Sequence, residues 1–223
     1  QSWAVLAGYA GEERGRKALD AIKKYLDTAN GIKLSTPGYD GYDPLKGGVS
    51  TYPPGAKENG GIFLHANPWV MIAETLMGDG DQAFAYYDKI NPVTKNDRME
   101  VYESEPYVYP QNILGDEHPQ FGLARNSWLT GTASWVYTAA TKYILGIMPG
   151  YRGLRIQPCI PSGWQTFSVR RELRGAVYDI SVKRETALPE GAVQISVDGT
   201  LIEGHTVPYS TDGKSHFIEV LIH

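Results

Sequence analysis

The chain has 223 residues, enough for one large domain or two smaller ones. Its 42% hydrophobic content can build a packed core, yet no run approaches the roughly 20 apolar residues that cross a bilayer. The net charge is −4 and the 21 basic side chains are scattered, which argues against nucleic acid, a partner that selects a concentrated basic patch. The densest basic cluster, Arg170, Arg171 and Arg174, alternates with apolar residues and reads as a solvated strand face. The single cysteine, Cys159, excludes an intrachain disulfide and reads as a small packed residue. No secretory leader is visible. The chain opens at Gln1-Ser2-Trp3, without Met and already in an apolar, helix-like run, so a fragment of a longer protein is expected.

Residues 1–150 read mostly as helices and long loops. Glu12 to Leu26 places Ala18, Leu19, Ile22, Tyr25 and Leu26 on one helical face. Trp69 to Met77 forms a second helix, ended by Gly78. Asp81 to Ile90 forms a third, with Asp81 as N-cap and Phe84, Tyr87 and Ile90 inward. Trp128 to Leu145 is the longest, ended by Gly146. Two aromatic, Gly/Pro-rich loops lie between, Ser35 to Ile62 and Tyr102 to Arg125. Loops of that length in a compact domain are usually functional. The rhythm changes near Met148 to Gly153. From there, Leu154 to Ile156, Phe167 to Leu173, Ala176 to Val182, Val193 to Val197 and Phe217 to Ile222 alternate apolar and polar residues, with turns at Asp198-Gly199 and Asp212-Gly213. The expected organisation is therefore mainly α over 1–150, followed by a small antiparallel β-sandwich over 151–223.

Three clusters offer chemistry. In Ser50 to His65, Pro53, Pro54 and the glycines fix an irregular backbone that can present Tyr52, Lys57, Glu58 and Asn59 to one cavity. His65 follows at the mouth of the next helix, where an imidazole can donate to a phosphate or a sugar hydroxyl. A plain surface loop with a capping histidine is the alternative. In Glu103 to Asn112, two aromatics and an amide suit carbohydrate, since aromatic faces stack on a pyranose and Gln or Asn satisfies paired hydroxyls. The carboxylates there invite an acid/base reading, and a structural Glu105 is the alternative. In Asn126 to Trp135, small hydroxyls, a glycine and free N–H groups at a helix start make an anion site or simply a well-capped helix. The five histidines are isolated from one another in sequence, so no metal-ligand spacing occurs.

Taken together, the stretches Tyr52 to Phe63, Glu105-Pro106-Tyr107-Val108-Tyr109, Trp128-Leu129-Thr130-Gly131-Thr132 and Leu154 to Pro161 resemble glycoside hydrolase family 94, the cellobiose and chitobiose phosphorylases. They occur in the family's order and cover nearly the whole chain. The resemblance implies the C-terminal part of an (α/α)6 barrel followed by a β-domain. It implies phosphorolysis of a β-linked disaccharide with inversion, inorganic phosphate being a substrate and no cofactor being needed. By motif position, His65, Thr130 and Gly131 would hold phosphate, while Tyr52, Lys57 and Gln111 would line the sugar sites, mainly on the acceptor side. The family's general acid, an aspartate in an Asp-Trp-Asn-Asp-like motif, lies upstream of the matched region. No such motif occurs here, so no catalytic residue is expected in this chain, which alone should be inactive and should partner the upstream part of the same enzyme. Gly48 stands where cellobiose-specific members tend to carry Glu, which leaves the disaccharide open. A cytoplasmic homodimer is the expected setting. The competing expectations are a hydrolase on a related helical barrel and a non-catalytic carbohydrate-binding module.

Overall fold

A computed structural model describes residues 1–223, which divide into two compact units, Gln1–Ala139 and Ala140–His223. In the first unit, helix α1 (Ser2–Leu6) and helix α2 (Glu12–Tyr25) precede a two-stranded ladder of β1 (Asp27–Thr28) and β2 (Gly31–Ile32). Strand β3 (Ile62–Phe63) leads through a tight turn into α3 (Asn67–Leu76), α4 (Gly80–Ile90) and α5 (Met99–Tyr102). Strands β4 (Pro110–Ile113) and β5 (Ala124–Ser127) then precede α6 (Thr132–Thr138). No helix is long and apolar enough to cross a membrane.

Helix α2 carries Glu12 and Glu13 in its first turn and Lys23 and Lys24 in its last, charges that complement the helix dipole. Its buried stripe runs through Gly15, Leu19 and Ile22. Tyr25, expected inward, is exposed. The stripe continues to Leu26, and Tyr25 stands about 100° round the axis from it. Helix α4 is capped by Asp79 rather than Asp81, since the Asp79 carboxylate accepts the Gln82 N–H at 2.9 Å. The inward residues are accordingly Ala83, Tyr86 and Ile90, while Phe84 and Tyr87 are half-buried and stack on each other at 5.8 Å. Asn67 opens α3 and is buried. Its amide holds both backbone groups of Ile32, at 2.8 and 3.1 Å, and so ties β2 to the helix.

The structure departs from two further expectations. The segment 102–125 is not all loop, because β4 lies between β3 and β5 in an antiparallel sheet with Phe63, Asn112 and Arg125 in register. The long helix does not begin at Trp128. The chain stays extended to Ser127, Trp128 takes a left-handed backbone with φ of 66°, and helix starts only at Thr132. The indole N–H of Trp128 donates to Glu105 at 3.0 Å, which holds the residue out of the helix. The run Ala139–Ile144 then widens into π geometry.

In the second unit the period-two segments are strands: β6 (Ile147–Pro149), β7 (Gly153–Ile156), β8 (Thr166–Leu173), β9 (Ala176–Arg184), β10 (Val193–Val197), β11 (Thr200–Ile202), β12 (Thr206–Pro208) and β13 (Ser215–Ile222). They form a five-stranded sheet in the order β11-β10-β13-β9-β8 and a three-stranded sheet in the order β12-β7-β6. One apolar core serves both, with Ile147, Leu154, Ile156 and Val207 from the smaller sheet and Tyr178, Ile180, Ile195, Ile218 and Val220 from the larger. The expectation of an antiparallel sheet fails at one pair, since β9 and β13 run parallel over eight residues, from Ser215↔Val177 to Ile222↔Arg184. The intervening β10 to β12 reverse the chain and return it in the direction of β9. Asp198 and Gly199, both at positive φ, make the two-residue turn between β10 and β11.

Candidate functional site

The candidate residues of the first cluster sit on a loop whose shape is set by close backbone contacts. A side chain at Gly61 would meet the Lys57 carbonyl at 2.5 Å, and one at Gly55 would meet the His118 N–H at 2.7 Å, so both positions need glycine. Gly55 N donates to Asn59 O at 2.8 Å, Asn59 N to Ala56 O at 2.9 Å and Gly61 N to Lys57 O at 3.1 Å. This tight turn puts Lys57 at φ of 47° and leaves its ammonium 5.3 Å from the centre of the Tyr52 ring. Tyr52 packs in turn on Ala56, Leu114 and Leu123. Tyr52 and Lys57 are thus brought together as one half-buried pair, and Glu58 beside them is exposed. Asn59 does not join them. It is buried, and its amide is spent on Tyr39 N, Tyr39 O and Tyr52 O at 2.6, 2.9 and 2.7 Å.

His65 lies in the turn Leu64–Ala66, where Phe63 and Trp69 meet its ring edge-on at 4.8 and 5.2 Å. Burial lowers its pKa below the ordinary histidine value, against a weaker opposing pull from Glu58. The ring is therefore neutral at pH 7, with one N–H to donate and one nitrogen to accept. This turn packs on α6, and Trp69 meets Trp135 of that helix at 5.8 Å. Gly131 caps α6 and is exposed, and Trp135 N donates to its carbonyl at 3.3 Å. The Thr130 hydroxyl is engaged, 2.6 Å from Thr132 Oγ1 and accepting the Thr132 N–H at 3.1 Å. The backbone N–H groups of Thr130 and Gly131 meet no acceptor within the chain and remain available to an anion. His65 and the Thr130-Gly131 peptide thus share one aromatic bridge, His65 to Trp69 to Trp135.

Gln111 lies half-buried on the central strand of the small sheet and makes no side-chain hydrogen bond. Its neighbour Asn112 is fully buried with neither amide atom partnered, and the register places it on the same sheet face as Phe63. Glu105 is not placed as a proton donor. Hydrogen bonds from its own N–H, Trp128 and Ser104 hold its pKa below the ordinary carboxylate range, so it is ionised at neutral pH. Its role is to fasten Trp128. Sequence pattern placed Asn112 in the segment suited to carbohydrate but gave no sign of its burial, and it gave none of the aromatic bridge, because Trp135 stands far along the chain from His65 and Trp69.

The profile of the glycosyl hydrolase 94 superfamily catalytic domain matches residues 1–146. The chain is 42% identical over 98% of its length to an N,N'-diacetylchitobiose phosphorylase of Vibrio proteolyticus, of which it covers 27%. A second N,N'-diacetylchitobiose phosphorylase, from Vibrio furnissii, is 42% identical over 90% of the chain, which covers 25% of it. A solabiose phosphorylase of Paenibacillus borealis is 34% identical over 99% of the chain, which covers 29% of it. The chain therefore spans about a quarter of the length of these curated relatives. A match over most of its residues, together with the glycine-rich loop, the histidine turn and the threonine-glycine helix start in one unit, places this chain in the glycosyl hydrolase 94 superfamily.

Proposed function

We propose that this chain is the C-terminal portion of an inverting β-glycoside phosphorylase, which cleaves a β-linked disaccharide with inorganic phosphate to give a sugar 1-phosphate and a free sugar. The observation that carries the reading is the neutral His65 joined through Trp69 and Trp135 to the free N–H groups of Thr130 and Gly131. Uncharged donors fixed before the substrate arrives suit an anion that must itself act as nucleophile. In an inverting hydrolase a carboxylate activates water on the face opposite the acid. Here phosphate takes that place, so a cradle replaces the base. A phosphate oxygen bonds to the anomeric carbon as the glycosidic C–O bond breaks, and a carboxylic acid from the upstream part protonates the leaving oxygen. Tyr52, Lys57 and Gln111 line the sugar sites. The helices of the first unit form a sector of an (α/α)6 barrel, the second unit is its β-sandwich, and the enzyme works as a cytoplasmic homodimer without a cofactor.

The names of the relatives make N,N'-diacetylchitobiose the first disaccharide to test, ahead of cellobiose and laminaribiose. Gly48 is exposed with open space around it, so no packing demand forces glycine there, and a substrate contact is free to vary at that position. The test uses the enzyme extended upstream to the length of its relatives, incubated with each disaccharide with and without phosphate. Sugar 1-phosphate is expected only with phosphate. Free sugars released regardless of phosphate would mean a hydrolase, and sugar binding by this chain without turnover by the extended enzyme would mean a binding module. His65→Ala in the active enzyme is expected to raise the phosphate KM about tenfold and the disaccharide KM far less. Equal rises in both would remove His65 from the cradle.

A further inference from the structure

The loop 35–61 carries Tyr52 and Lys57, yet its only regular structure is the short helical turn Gly47–Thr51 and one bridge between Ala56 and Asn59. Its place is set by groups from elsewhere. Glu117 reaches it from the segment between β4 and β5. One carboxylate oxygen accepts the Thr36 hydroxyl at 3.0 Å, and the other accepts the Gly38 N–H at 2.7 Å. Behind this pair stands Lys33, whose side chain is only 6% exposed. Its ammonium lies 2.7 Å from Asp116, 3.6 Å from Glu117 and 3.4 Å from the Thr36 hydroxyl. A desolvated cation held this way stays put, because separating it from its carboxylates leaves an uncompensated buried charge. Beyond Gly38 the next residue, Tyr39, has both backbone groups gripped by Asn59, and the same amide donates to Tyr52 O. Gly115 N, one residue before Asp116, donates to Gly55 O at 2.7 Å. The contacts therefore form an unbroken series from Lys33 through Glu117, Gly38, Tyr39 and Asn59 to Tyr52 and Lys57.

We propose that Glu117, anchored by Lys33, is a positioning residue that sets the acceptor-sugar side of the site by fixing where Tyr52 and Lys57 stand. Glu117 touches neither of them and acts through Gly38 and Asn59. The catalytic half of this statement rests on the phosphorylase reading, whereas the structural half does not. The phosphate-side groups have separate supports, the Leu64–Ala66 turn for His65 and the end of β5 for Thr130 and Gly131. Loosening the clamp should therefore affect sugar and phosphate unequally.

Two measurements on Glu117→Ala and Glu117→Gln test this. The first is amide hydrogen exchange on the 223-residue chain itself. Gly38, Tyr39 and Gly55 are expected to exchange about tenfold faster or more in the alanine variant, and less so in the glutamine variant, which keeps one acceptor oxygen. Amides of α2 and α3 should be unchanged and serve as the control for folding. If the alanine variant does not fold, Glu117→Gln and Thr36→Val, which each remove only part of the clamp, carry the same comparison. Unchanged exchange at Gly38 and Tyr39 would overturn the clamp. The second measurement is phosphorolysis by the extended enzyme. The disaccharide KM is expected to rise about fivefold in the alanine variant, with the phosphate KM unmoved and partial recovery in the glutamine variant. Equal changes in both constants would overturn the positioning role. A wild-type enzyme with no phosphate-dependent cleavage would overturn the phosphorylase reading alone, and exchange would still judge the clamp.

Discussion

In Ala140–His223 the backbone hydrogen bonds run from strand to strand, whereas in Gln1–Ala139 the loop 35–61 meets its partners largely through side chains such as Asn59 and Glu117. The first arrangement is redundant. Each ladder bond is one of many, and the apolar core beneath holds the register. The second is sparse, so single side chains carry the placement of Tyr52 and Lys57. A ladder suits a unit that needs stability, and a few directed bonds suit a loop whose side chains are to stand at defined positions.

Substitutions in the two units should separate these roles. The largest effect on stability is expected at Ile218, fully buried on the central strand of the larger sheet. Ile218→Ala should cost about 3 kcal/mol in denaturant unfolding, while leaving exchange at Tyr39 and Gly55 as in the wild type. Asn59→Ala should cost less, about 2 kcal/mol, because three hydrogen-bonding groups lose a partner. Its signature should instead be faster exchange along the loop. If Asn59→Ala leaves those amides protected, the loop is not held by single side chains and does not differ from the ladder in this respect.

Two titrations sharpen the same comparison at smaller scale. Glu74 on α3 is buried, and its nearest cation, Arg16, is 3.9 Å away. Burial, helped by Asp79, raises its pKa from the ordinary 4.5 to about 7. The folded state then binds the proton more tightly than the unfolded state. Stability is fullest below the ordinary value and falls as pH rises from 4.5 to about 7. Thermal unfolding across that window should show the slope, and Glu74→Gln should flatten it. The smallest effect is expected at His216, which lies 2.8 Å from Asp198 and 3.2 Å from Asp212, stacked on Tyr178. Hydrogen bonds to Asp198 and then Asp212 raise its pKa. That contribution is present below the ordinary histidine value of 6.5 and is lost as pH climbs through the raised one. His216→Phe should remove this upper slope and leave the lower one, due to Glu74, intact.

The β-rich unit was largely legible in the sequence. Strands of five to nine residues announce themselves by alternation, as Val193–Val197 and Ala176–Arg184 do, and Asp198-Gly199 fits the turn between two of them. Partnership was not legible, because the pairing of β9 with β13 joins residues that local pattern does not connect. In the first unit, β3 is two residues long, too short for any period to show. The choice of Asp79 over Asp81 as cap turned on two aspartates in the run Gly78-Asp79-Gly80-Asp81, either of which fits the pattern. For the site, the nearness of Tyr52 to Lys57 follows from a rigid turn and could be anticipated. That Asn59 and Glu105 serve structure follows from bonds to residues far along the chain, such as Tyr39 and Trp128. The roles assigned to His65, Thr130 and Gly131 came from resemblance to a family, not from spacing.

The placement of β13 has a consequence for how the second unit forms. It comes last of the strands in sequence, yet it lies in the middle of the larger sheet, between β9 and β10. The two local hairpins, β8–β9 and β10–β11, can each close early, but neither touches the other in the finished sheet. Until residues 215–222 slot between them, each hairpin presents an open edge, and completing the sheet takes a long-range closure, parallel to β9 and antiparallel to β10, rather than a local turn. Once in place, the segment that completes the sheet is also the one that keeps those two edges from pairing with a neighbouring molecule.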